Sequence, residues 1–381
     1  MNHFSSKSCI VVTTFAETQP GFLDFSYRIK SLAAQYQLTV VSTFPLIQAE
    51  LQLPNVDYVV INASDGRLGW LGYLWKCSTL IRKQRPDVAV LLHAMVAPVA
   101  MLVGSIPTVT YWNEHPTHVA PEPEGVSPIK AITRALVRWL MFQGARQSSL
   151  VLPIGEAHRD DLLMHGCKLD QTRMIYMGVD QSFSGVALSV PTINQGLPLR
   201  LIYVGSVQKD RGRDVMLEAM AIANQGGKIA HLTIVGANVE QYKYCHETVQ
   251  KLGVSDSVTI NGRLPGHLIP DFMRAADAGL CLWDDLPWYR FNPPTKLFEY
   301  LVAGLPVLAS NIRTHTEYVQ HGSNGLIFEY GSASMADAIN QLWQARNQLP
   351  SMKLRASESS GAYRWQTIEP AFLEAVRGVV R

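Results

Sequence analysis

The stretch FNPPTKLFEYLVAGLPVLAS, residues 291–310, carries one lysine and one glutamate at helical spacing. Lys296 and Glu299 lie three positions apart, so a helix places both side chains on one face. A lysine near a helix start can bind phosphate, and a carboxylate one turn later can accept hydrogen bonds from two vicinal hydroxyls. Either this pair binds such a ligand, or it is an exposed ion pair that contributes about 0.3 kcal/mol.

The residues around this pair predict the limits of its helix. Asn292 or Pro293 is expected to cap the helix, with Pro294 in the first turn. Gly304 is expected to end it, before a strand that starts within LPVLAS. Tyr300 is expected to share the polar face, while the apolar neighbours pack inward.

A second segment suited to phosphate is LIYVGSVQKDRGRDVMLEAMA, residues 201–221. It is predicted to be a strand, a glycine-containing loop with Lys209, Arg211 and Arg213, and a helix. Backbone N–H groups at a helix start and guanidinium donors suit a diphosphate. The alternative is a solvated basic loop. Gly236, at the end of the next strand, would let a ligand approach the backbone closely.

Composition limits the class of protein. A chain of 381 residues predicts two domains, and a net charge of +2 argues against a dedicated nucleic-acid binder. The five scattered cysteines lack metal-binding spacing, which predicts a reduced, cytoplasmic setting and no metal site. The apolar run from Cys9 is expected to be a first strand rather than a signal peptide, and no apolar run has the roughly 18 residues of a membrane-spanning helix.

Short apolar runs alternate with helical stretches in both halves of the chain, which predicts two parallel α/β sheets. Such sheets bind ligands at the carboxyl ends of their strands, so we expect a site there. The predicted division is a first domain over 1–180, a linker over 181–198, a second domain over 199–358 and a helical segment over 359–381 that can pack back on the first domain. Six strands are predicted in each domain: SCIVVTTF, LTVVSTF, VDYVVIN, DVAVLLH, TVTYWN and LVLPIG, then LRLIYVG, HLTIVG, SVTING, AGLCLW, PVLAS and GLIF.

Five motifs of the second half follow one another in the order of a known family. They are YVGSVQKDRG, LTIVG, VTINGRLPGHLIPDFMRAADAGLCLW, PTKLFEYLVAGLPVLAS and EYVQHGSNGLIF. This order resembles the donor domain of GT-B glycosyltransferases, and it is most similar to the retaining glycosyltransferase family 4. MIYMGVD and TVTYWNEHP resemble segments of the family's first domain. The resemblance implies an α/β GT-B fold, with two Rossmann-like domains facing a cleft, and a UDP- or GDP-type nucleotide-sugar donor.

The resemblance also implies roles for individual residues. Arg211 and Lys296 would bind the pyrophosphate and stabilise the departing diphosphate, and Glu299 would bind the nucleotide ribose. Glu317 would lie near the end of the donor site, or it is an acid at a helix N-terminus. The other residues expected to bind the donor are Gly21, Gly205, Ser206, Lys209, Gly236, Asn292, Pro293 and Thr295.

Two positions depart from the family pattern. Ser206 stands where relatives commonly have an arginine, so a second basic contact must come from Lys209 or Arg213. Phe291 stands where they commonly have a glutamate that contacts the donor sugar. Candidates for the missing sugar contact are Asn292, Asp284, Asp285 and nearby backbone amides.

In the first half, YWNEHPTHVAPEPEG follows a predicted strand. We predict catalytic roles for His115, which can hydrogen-bond the sugar or organise the acceptor, and for Glu114, in proton handling. The alternative, which applies most to His118, is that these are loop residues capping the next segment. Pro20 and Gly21 lie in the first loop, where such enzymes approach donor phosphates or acceptor.

Residues 67–150 contain nine lysines and arginines against four acids, together with tryptophans and leucines. One interpretation is that two helices lie in an anionic membrane interface on the cytoplasmic side and receive a lipid-linked acceptor. The other is a pair of core helices with solvated basic faces.

The residues and the resemblance together predict a glycosyltransferase of bacterial cell-surface or exopolysaccharide synthesis that needs no metal. The resemblance alone implies that it retains anomeric configuration. Catalysis would come from positioning and from charge opposite the leaving diphosphate. One alternative is a GT-B epimerase that acts on a nucleotide sugar without an acceptor. Another is an inactive nucleotide-sugar-binding protein, which the departures at Ser206 and Phe291 keep open.

Overall fold

The computed structural model describes residues 7–17, 21–64, 66–121, 125, 127–189 and 196–380. The chain forms two compact units, one of residues 1–178 with 366–381 and the other of residues 179–365. Each unit contains one six-stranded parallel sheet. All twelve runs predicted as strands form strands, because near-continuous apolar runs suit strands that helices cover on both faces.

The first unit has the strand order β3-β2-β1-β4-β5-β6. The order reverses between β1 and β4, which is the point where sheets of this kind bind ligands. Its elements up to the second unit are β1 (Ser8–Val12), α1 (Phe22–Ala33), β2 (Gln37–Ser42), β3 (Val56–Val60), α2 (Gly66–Gln84), β4 (Val88–Leu92), β5 (Thr108–Trp112), α3 (Pro116–Val119), α4 (Pro128–Gln147), β6 (Leu150–Pro153) and α5 (Glu156–Met164).

Helices α2 and α4 both pack on a three-ten segment, Ala94–Met101, that follows β4. Gly144 allows the closest approach, because a Cβ there would lie 2.3 Å from the carbonyl carbon of Ala97. Both helices contribute to one apolar core with strands β1 and β4. In the described part of the chain, no helix combines the length and the apolar character needed to cross a membrane.

The second unit has the strand order β12-β11-β10-β7-β8-β9, so its order reverses between β10 and β7. Its elements, and the last helix of the chain, are β7 (Leu199–Val204), α6 (Arg213–Ala223), β8 (Ala230–Ala237), α7 (Val239–Lys251), β9 (Val258–Gly262), α8 (Ile269–Arg274), β10 (Ala278–Cys281), α9 (Thr295–Ala303), β11 (Val307–Ser310), α10 (Arg313–Thr316), β12 (Gly325–Phe328), α11 (Ser332–Gln344), α12 (Leu349–Ser359) and α13 (Trp365–Val379).

Helix α9 differs from its prediction at its start. It begins at Thr295 with Pro294 as the N-cap, whereas Asn292 or Pro293 was expected to cap it. Asn292 and Pro293 each precede a proline, which disfavours helical backbone at both positions. The helix ends at Ala303, and Gly304 follows it in the left-handed conformation (φ 81°), as expected.

Tyr300 is buried, contrary to its predicted place on a polar face. Its ring lies over Gly279 of β10, where a Cβ would lie 2.4 Å from the ring. Its hydroxyl accepts a hydrogen bond from the Val204 backbone at 2.9 Å. Tyr300 therefore joins α9 to the centre of the sheet.

Residues 181–189 and helix α13 both pack on the described units. Residues 181–189, in the predicted linker, form two three-ten turns, and the Gly185 backbone donates to the carbonyl of Val302 at 2.9 Å. Helix α13 belongs to the first unit from Gln366 onward. Its Phe372 is buried, and the Arg28 guanidinium lies 4.9 Å from the centre of the Phe372 ring.

Candidate functional site

The Lys296 side chain is buried in the second unit, with 8% of its surface exposed. Its Nζ lies 3.6 Å from the centre of the Tyr203 ring, and a Cβ on Gly205 would lie 3.3 Å from the same atom. Nζ makes no hydrogen bond within the described residues. The alternative interpretation of Lys296 and Glu299 as an exposed ion pair is therefore wrong.

Lys296 and Glu299 both have a pKa that is shifted to about 7. Burial lowers the pKa of Lys296 to about 7, and the nearby positive charge of Arg211 acts in the same direction. Burial raises the pKa of the Glu299 carboxyl to about 7, although Lys296 acts to lower it. A ligand with an anion beside Lys296 and hydroxyl donors beside Glu299 would stabilise the charged form of each group.

Arg211 lies at the end of a short turn that follows β7. Its Nε is buried and makes no hydrogen bond within the part of the chain that is described. Gly212 follows with φ 78°, and a Cβ there would lie 2.7 Å from the Cβ of Leu282. The turn thus packs on the end of β10, and it brings Arg211 to the point where the strand order reverses.

The other basic residues of this loop differ from Arg211. Lys209 is exposed. Arg213 donates to the Asp214 carboxylate at 2.8 Å, and its guanidinium lies 3.6 Å from the centre of the Tyr244 ring. Arg213 is therefore engaged with its own helix and α7, which favours Lys209 of the two as a second basic contact.

Gly205 and Gly236 bring two strands into contact at this site. Both have positive φ, 123° and 117°. A Cβ on Gly236 would lie only 2.6 Å from the Gly205 carbonyl oxygen, so glycine at 236 permits a close approach of backbone to backbone. The Tyr203 hydroxyl donates to the carbonyl of Ser206 at 2.8 Å and fixes the loop that follows.

The loop after β10 is aromatic. Trp283 stacks on Tyr289 with ring centres 4.3 Å apart, and the Tyr289 hydroxyl donates to Asp210 at 2.7 Å. Asp285 is engaged in an ion pair with Arg290 at 2.7 Å. Along the rest of this loop Pro293 is buried, Asp284 is exposed, and Phe291, Asn292 and Thr295 are half-buried.

Sequence reasoning missed His315, which lies buried near Lys296. Its Nδ1 lies 3.0 Å from the Ser310 carbonyl oxygen, and its Nε2 lies 3.4 Å from the sulfur of Cys281. Burial lowers the pKa of His315 to about 3, so the ring is neutral and adds no further positive charge. Its position beyond β11 gave no signal in the sequence, because its partners come from two strands.

Glu317 follows the short helix α10 as its C-terminal cap, so it is not an acid at a helix N-terminus. Arg313 donates to its carboxylate at 2.6 Å. Gly21 caps the start of α1 in the first unit, with φ 88°. Pro20 lies outside the described residues.

In the first unit, Glu114 lies between two histidines. Its carboxylate contacts His118, and it lies 3.2 Å from Nε2 of His93. Burial acts to raise the pKa of Glu114, but hydrogen bonds with His118 and His93 outweigh it and lower the pKa to about 2. The Thr14 hydroxyl lies 3.2 Å from Nδ1 of His93, so this cluster joins the ends of β1, β4 and β5.

His115 is bonded inside the same unit. The residue is 3% exposed, its Nδ1 lies 2.7 Å from the Thr117 hydroxyl, and its Nε2 lies 2.9 Å from Asp161. Sequence reasoning named His115 and missed His93, although a histidine directly after the apolar run VAVLL was a usable signal. Among the described residues, no group of three or more His, Cys, Asp or Glu side chains could hold a metal ion.

Comparison with known families matches both halves of the chain. Residues 193–359 match the family described as "Glycosyl transferases group 1", and residues 28–183 match "Glycosyltransferase Family 4". The chain belongs to these glycosyltransferases. The family predicted from the order of the motifs is thereby confirmed.

Curated glycosyltransferases resemble this chain over part of their length. The D-inositol 3-phosphate glycosyltransferase of Nocardia farcinica is 24% identical over 243 residues, which are 61% of this chain and 52% of the relative. The amylovoran biosynthesis glycosyltransferase AmsK of Erwinia amylovora is 26% identical over 199 residues, 51% of this chain and 47% of the relative. The chain thus spans about half the length of these relatives.

Solved structures confirm the fold. HepE of Anabaena, in complex with UDP, has a TM-score of 0.74 at 18% identity and covers 97% of this chain and 100% of its own. WaaG, a glycosyltransferase involved in lipopolysaccharide biosynthesis, has a TM-score of 0.72 at 14% identity and covers 97% of this chain and 100% of its own. At such identities the likeness establishes the α/β GT-B fold alone.

Proposed function

We propose that this protein transfers a sugar from a nucleotide-diphosphate sugar to a hydroxyl of a glycan or lipid-linked acceptor. The observation that carries the proposal is the buried Nζ of Lys296, which makes no hydrogen bond to any described residue and lies beside Gly205 and close to Arg211. A buried polar group without a partner costs about 1 to 3 kcal/mol. A buried cation at the point where the strand order of a parallel sheet reverses is suited to bind an anion there.

The donor's diphosphate fits this arrangement. Helices α6 and α9 both begin at this end of the sheet, and their N-terminal N–H groups favour negative charge. Lys296 and Arg211 add fixed donors, with Lys209 as a further contact, and Glu299 accepts hydrogen bonds from the ribose. HepE was solved with UDP and with UDP-glucose, which supports a donor of the UDP type, with GDP as the other candidate.

Charge stabilisation drives the proposed transfer. The bond between the anomeric carbon and the diphosphate oxygen breaks, the acceptor oxygen bonds to that carbon, and the acceptor proton leaves with the diphosphate. In this proposal Lys296 and Arg211 stabilise the negative charge that grows on the leaving group, and the transfer needs no metal ion. Retention of configuration is proposed from the family likeness.

The first unit supplies the acceptor side in this proposal. Glu114, whose pKa is low, acts as a fixed anion that orients His93 and His118 rather than as a proton donor. His115 is a positioning residue, because both of its ring nitrogens are bonded within the unit. The similarity to AmsK and to WaaG supports a role in cell-surface polysaccharide synthesis.

Thermal melts with UDP, GDP, ADP and their sugars test the donor site. A bound nucleotide raises the unfolding temperature according to how far its concentration exceeds its dissociation constant. We expect one nucleotide to stabilise the protein, and Lys296→Met, Arg211→Ala and Glu299→Gln each to weaken its binding about 10- to 100-fold, because each removes a hydrogen bond to a charged group. Arg213→Ala is the matched control, since Arg213 is paired with Asp214.

Several outcomes would count against the proposal. If no nucleotide shifts the melt, the protein binds no nucleotide sugar. If the variants bind as well as the parent, the site lies elsewhere. Isomerisation of the donor without acceptor would identify an epimerase, and binding without turnover on any acceptor would identify an inactive binding protein. Loss of activity in EDTA would contradict metal independence, and NMR of the product linkage tests retention.

A further inference from the structure

Helix α2 leaves apolar side chains exposed in a regular stripe. Leu68, Leu71 and Trp75 lie at i, i+3 and i+7, and their exposed fractions are 85%, 43% and 59%. This spacing keeps the three side chains within one narrow face of the helix. Its buried residues, such as Tyr73 and Cys77, lie on the opposite face in the apolar core of the first unit.

Helix α4 repeats the pattern over three turns. Ile129, Ile132, Leu136 and Trp139 are each more than half exposed. The opposite face of α4 packs, like that of α2, on the three-ten segment 94–101. Both stripes therefore point outward from the same core, and we call them together the two-helix surface.

Positive charge surrounds the two-helix surface. Helices α2 and α4 contain eight lysines and arginines and no acid. Arg67, Lys76, Arg82 and Lys83 of α2 are exposed, as are Lys130 and Arg146 near the two ends of α4. Of the acids near these helices in the sequence, Asp87 accepts hydrogen bonds from the backbone and the hydroxyl of Ser8, and Asp65, Glu122 and Glu124 lie outside the described residues.

We propose that the two-helix surface binds an anionic lipid bilayer, with Trp75 and Trp139 in the interfacial layer. Leucine, isoleucine and tryptophan on one face with cations around them are the composition of helices that lie in a membrane surface. A second copy of this chain fits less well, because a two-fold contact would bring one cationic rim against another. The proposal stands independently of the proposed sugar transfer.

Flotation with lipid vesicles tests this surface on the full chain. We expect binding to phosphatidylglycerol–phosphatidylcholine vesicles that weakens with salt, and little binding to pure phosphatidylcholine. Leu136→Gln is expected to weaken binding about tenfold, because it removes one leucine side chain that the bilayer would bury. Lys76→Gln is expected to weaken it about fivefold.

Matched controls come from the second unit. Leu354 is 51% exposed, as is Leu136, so Leu354→Gln should leave vesicle binding unchanged. Lys243 is exposed on α7, and Lys243→Gln serves as the charge control. Failure of the parent to bind anionic vesicles would overturn the proposal, as would equal binding by Leu136→Gln. Sedimentation showing a dimer that Leu136→Gln dissociates would assign the surface to a second copy.

Discussion

Two buried lysines of the second unit have opposite environments. Lys296 has no hydrogen-bond partner among the described residues. Lys353 lies 3.5 Å from the Asp277 carboxylate and donates to the Ala276 carbonyl at 3.1 Å. Lys353 therefore joins α12 to the start of β10, whereas the Nζ of Lys296 has no hydrogen bond among the described residues and is suited to a ligand.

We expect Lys296→Met to stabilise the ligand-free protein by about 1 to 3 kcal/mol, because it removes an unpaired buried cation and leaves a thioether beside the Tyr203 ring. The folded pKa of Lys296 is about 7, against an ordinary value of 10.5. Between these pH values the unfolded chain binds a proton that the folded chain does not, so the gain in stability is full below pH 7 and shrinks as the pH rises from about 7 to 10.5. Calorimetry across pH measures it.

Lys353→Met is the control for this prediction. It removes one partner of a buried ion pair, so we expect the free energy of unfolding to fall by about 3 kcal/mol. If both variants lose stability to the same degree, Lys296 has a structural partner, and its assignment to a ligand site is wrong.

At the scale of elements, the site depends on how closely strands approach each other. The turn after β7 meets the end of β10 because Gly212 has no side chain beside Leu282, and it meets β8 because Gly236 has none beside Gly205. Gly279 likewise admits the ring of Tyr300 against β10. Gly205 and Gly279 thus leave room for Lys296 and Tyr300 of α9 to lie buried against the sheet.

Gly236→Ala is expected to destabilise the protein by about 2 kcal/mol or more, because alanine is strained at φ 117° and its Cβ would lie 2.6 Å from the Gly205 carbonyl oxygen. Nucleotide affinity should fall with it, since Gly205 lies against Lys296. Gly262→Ala in the neighbouring strand is the control, because its nearest atom would be 3.8 Å away. Equal melting temperatures for the two variants would contradict this packing argument.

At the scale of the molecule, the first unit is built from both ends of the chain. Arg28 is fully buried there, and it bonds Asp24 at 3.0 Å and the Tyr111 hydroxyl at 2.9 Å. Phe372, from α13, lies over the same guanidinium. A segment more than 300 residues away in sequence therefore completes the core of the first unit.

We expect Phe372→Ala to destabilise the first unit by about 3 to 5 kcal/mol, the usual result of removing a buried aromatic ring. Nucleotide binding by the second unit should be unchanged. Calorimetry and a nucleotide titration measure the two effects separately. Glu374→Gln, at an exposed ion pair with Arg173, is the control and should change stability little. A parallel loss of nucleotide affinity would show that α13 supports the second unit instead.

The sequence by itself determined the twelve strands, the two-sheet α/β fold and the family. Apolar runs bounded by turn residues depend on local periodicity, and the five motifs keep their order without reference to packing. It also named Lys296 and Glu299 as a pair, because their helical spacing can be read directly, and the family resemblance added Arg211. The roles of these residues in donor binding stay predictions until nucleotide binding is measured.

The tertiary structure alone decided which side chains are buried and what they contact. Lys296 and Tyr300 lie buried against Gly205 and Gly279, which come from other elements of the sheet. His93, rather than His115, meets Glu114 because β4 and β5 are neighbours in the sheet. The pKa of a buried group depends on its burial and on its partners, so the shifted pKa values of Lys296 and Glu299 follow only from the folded structure.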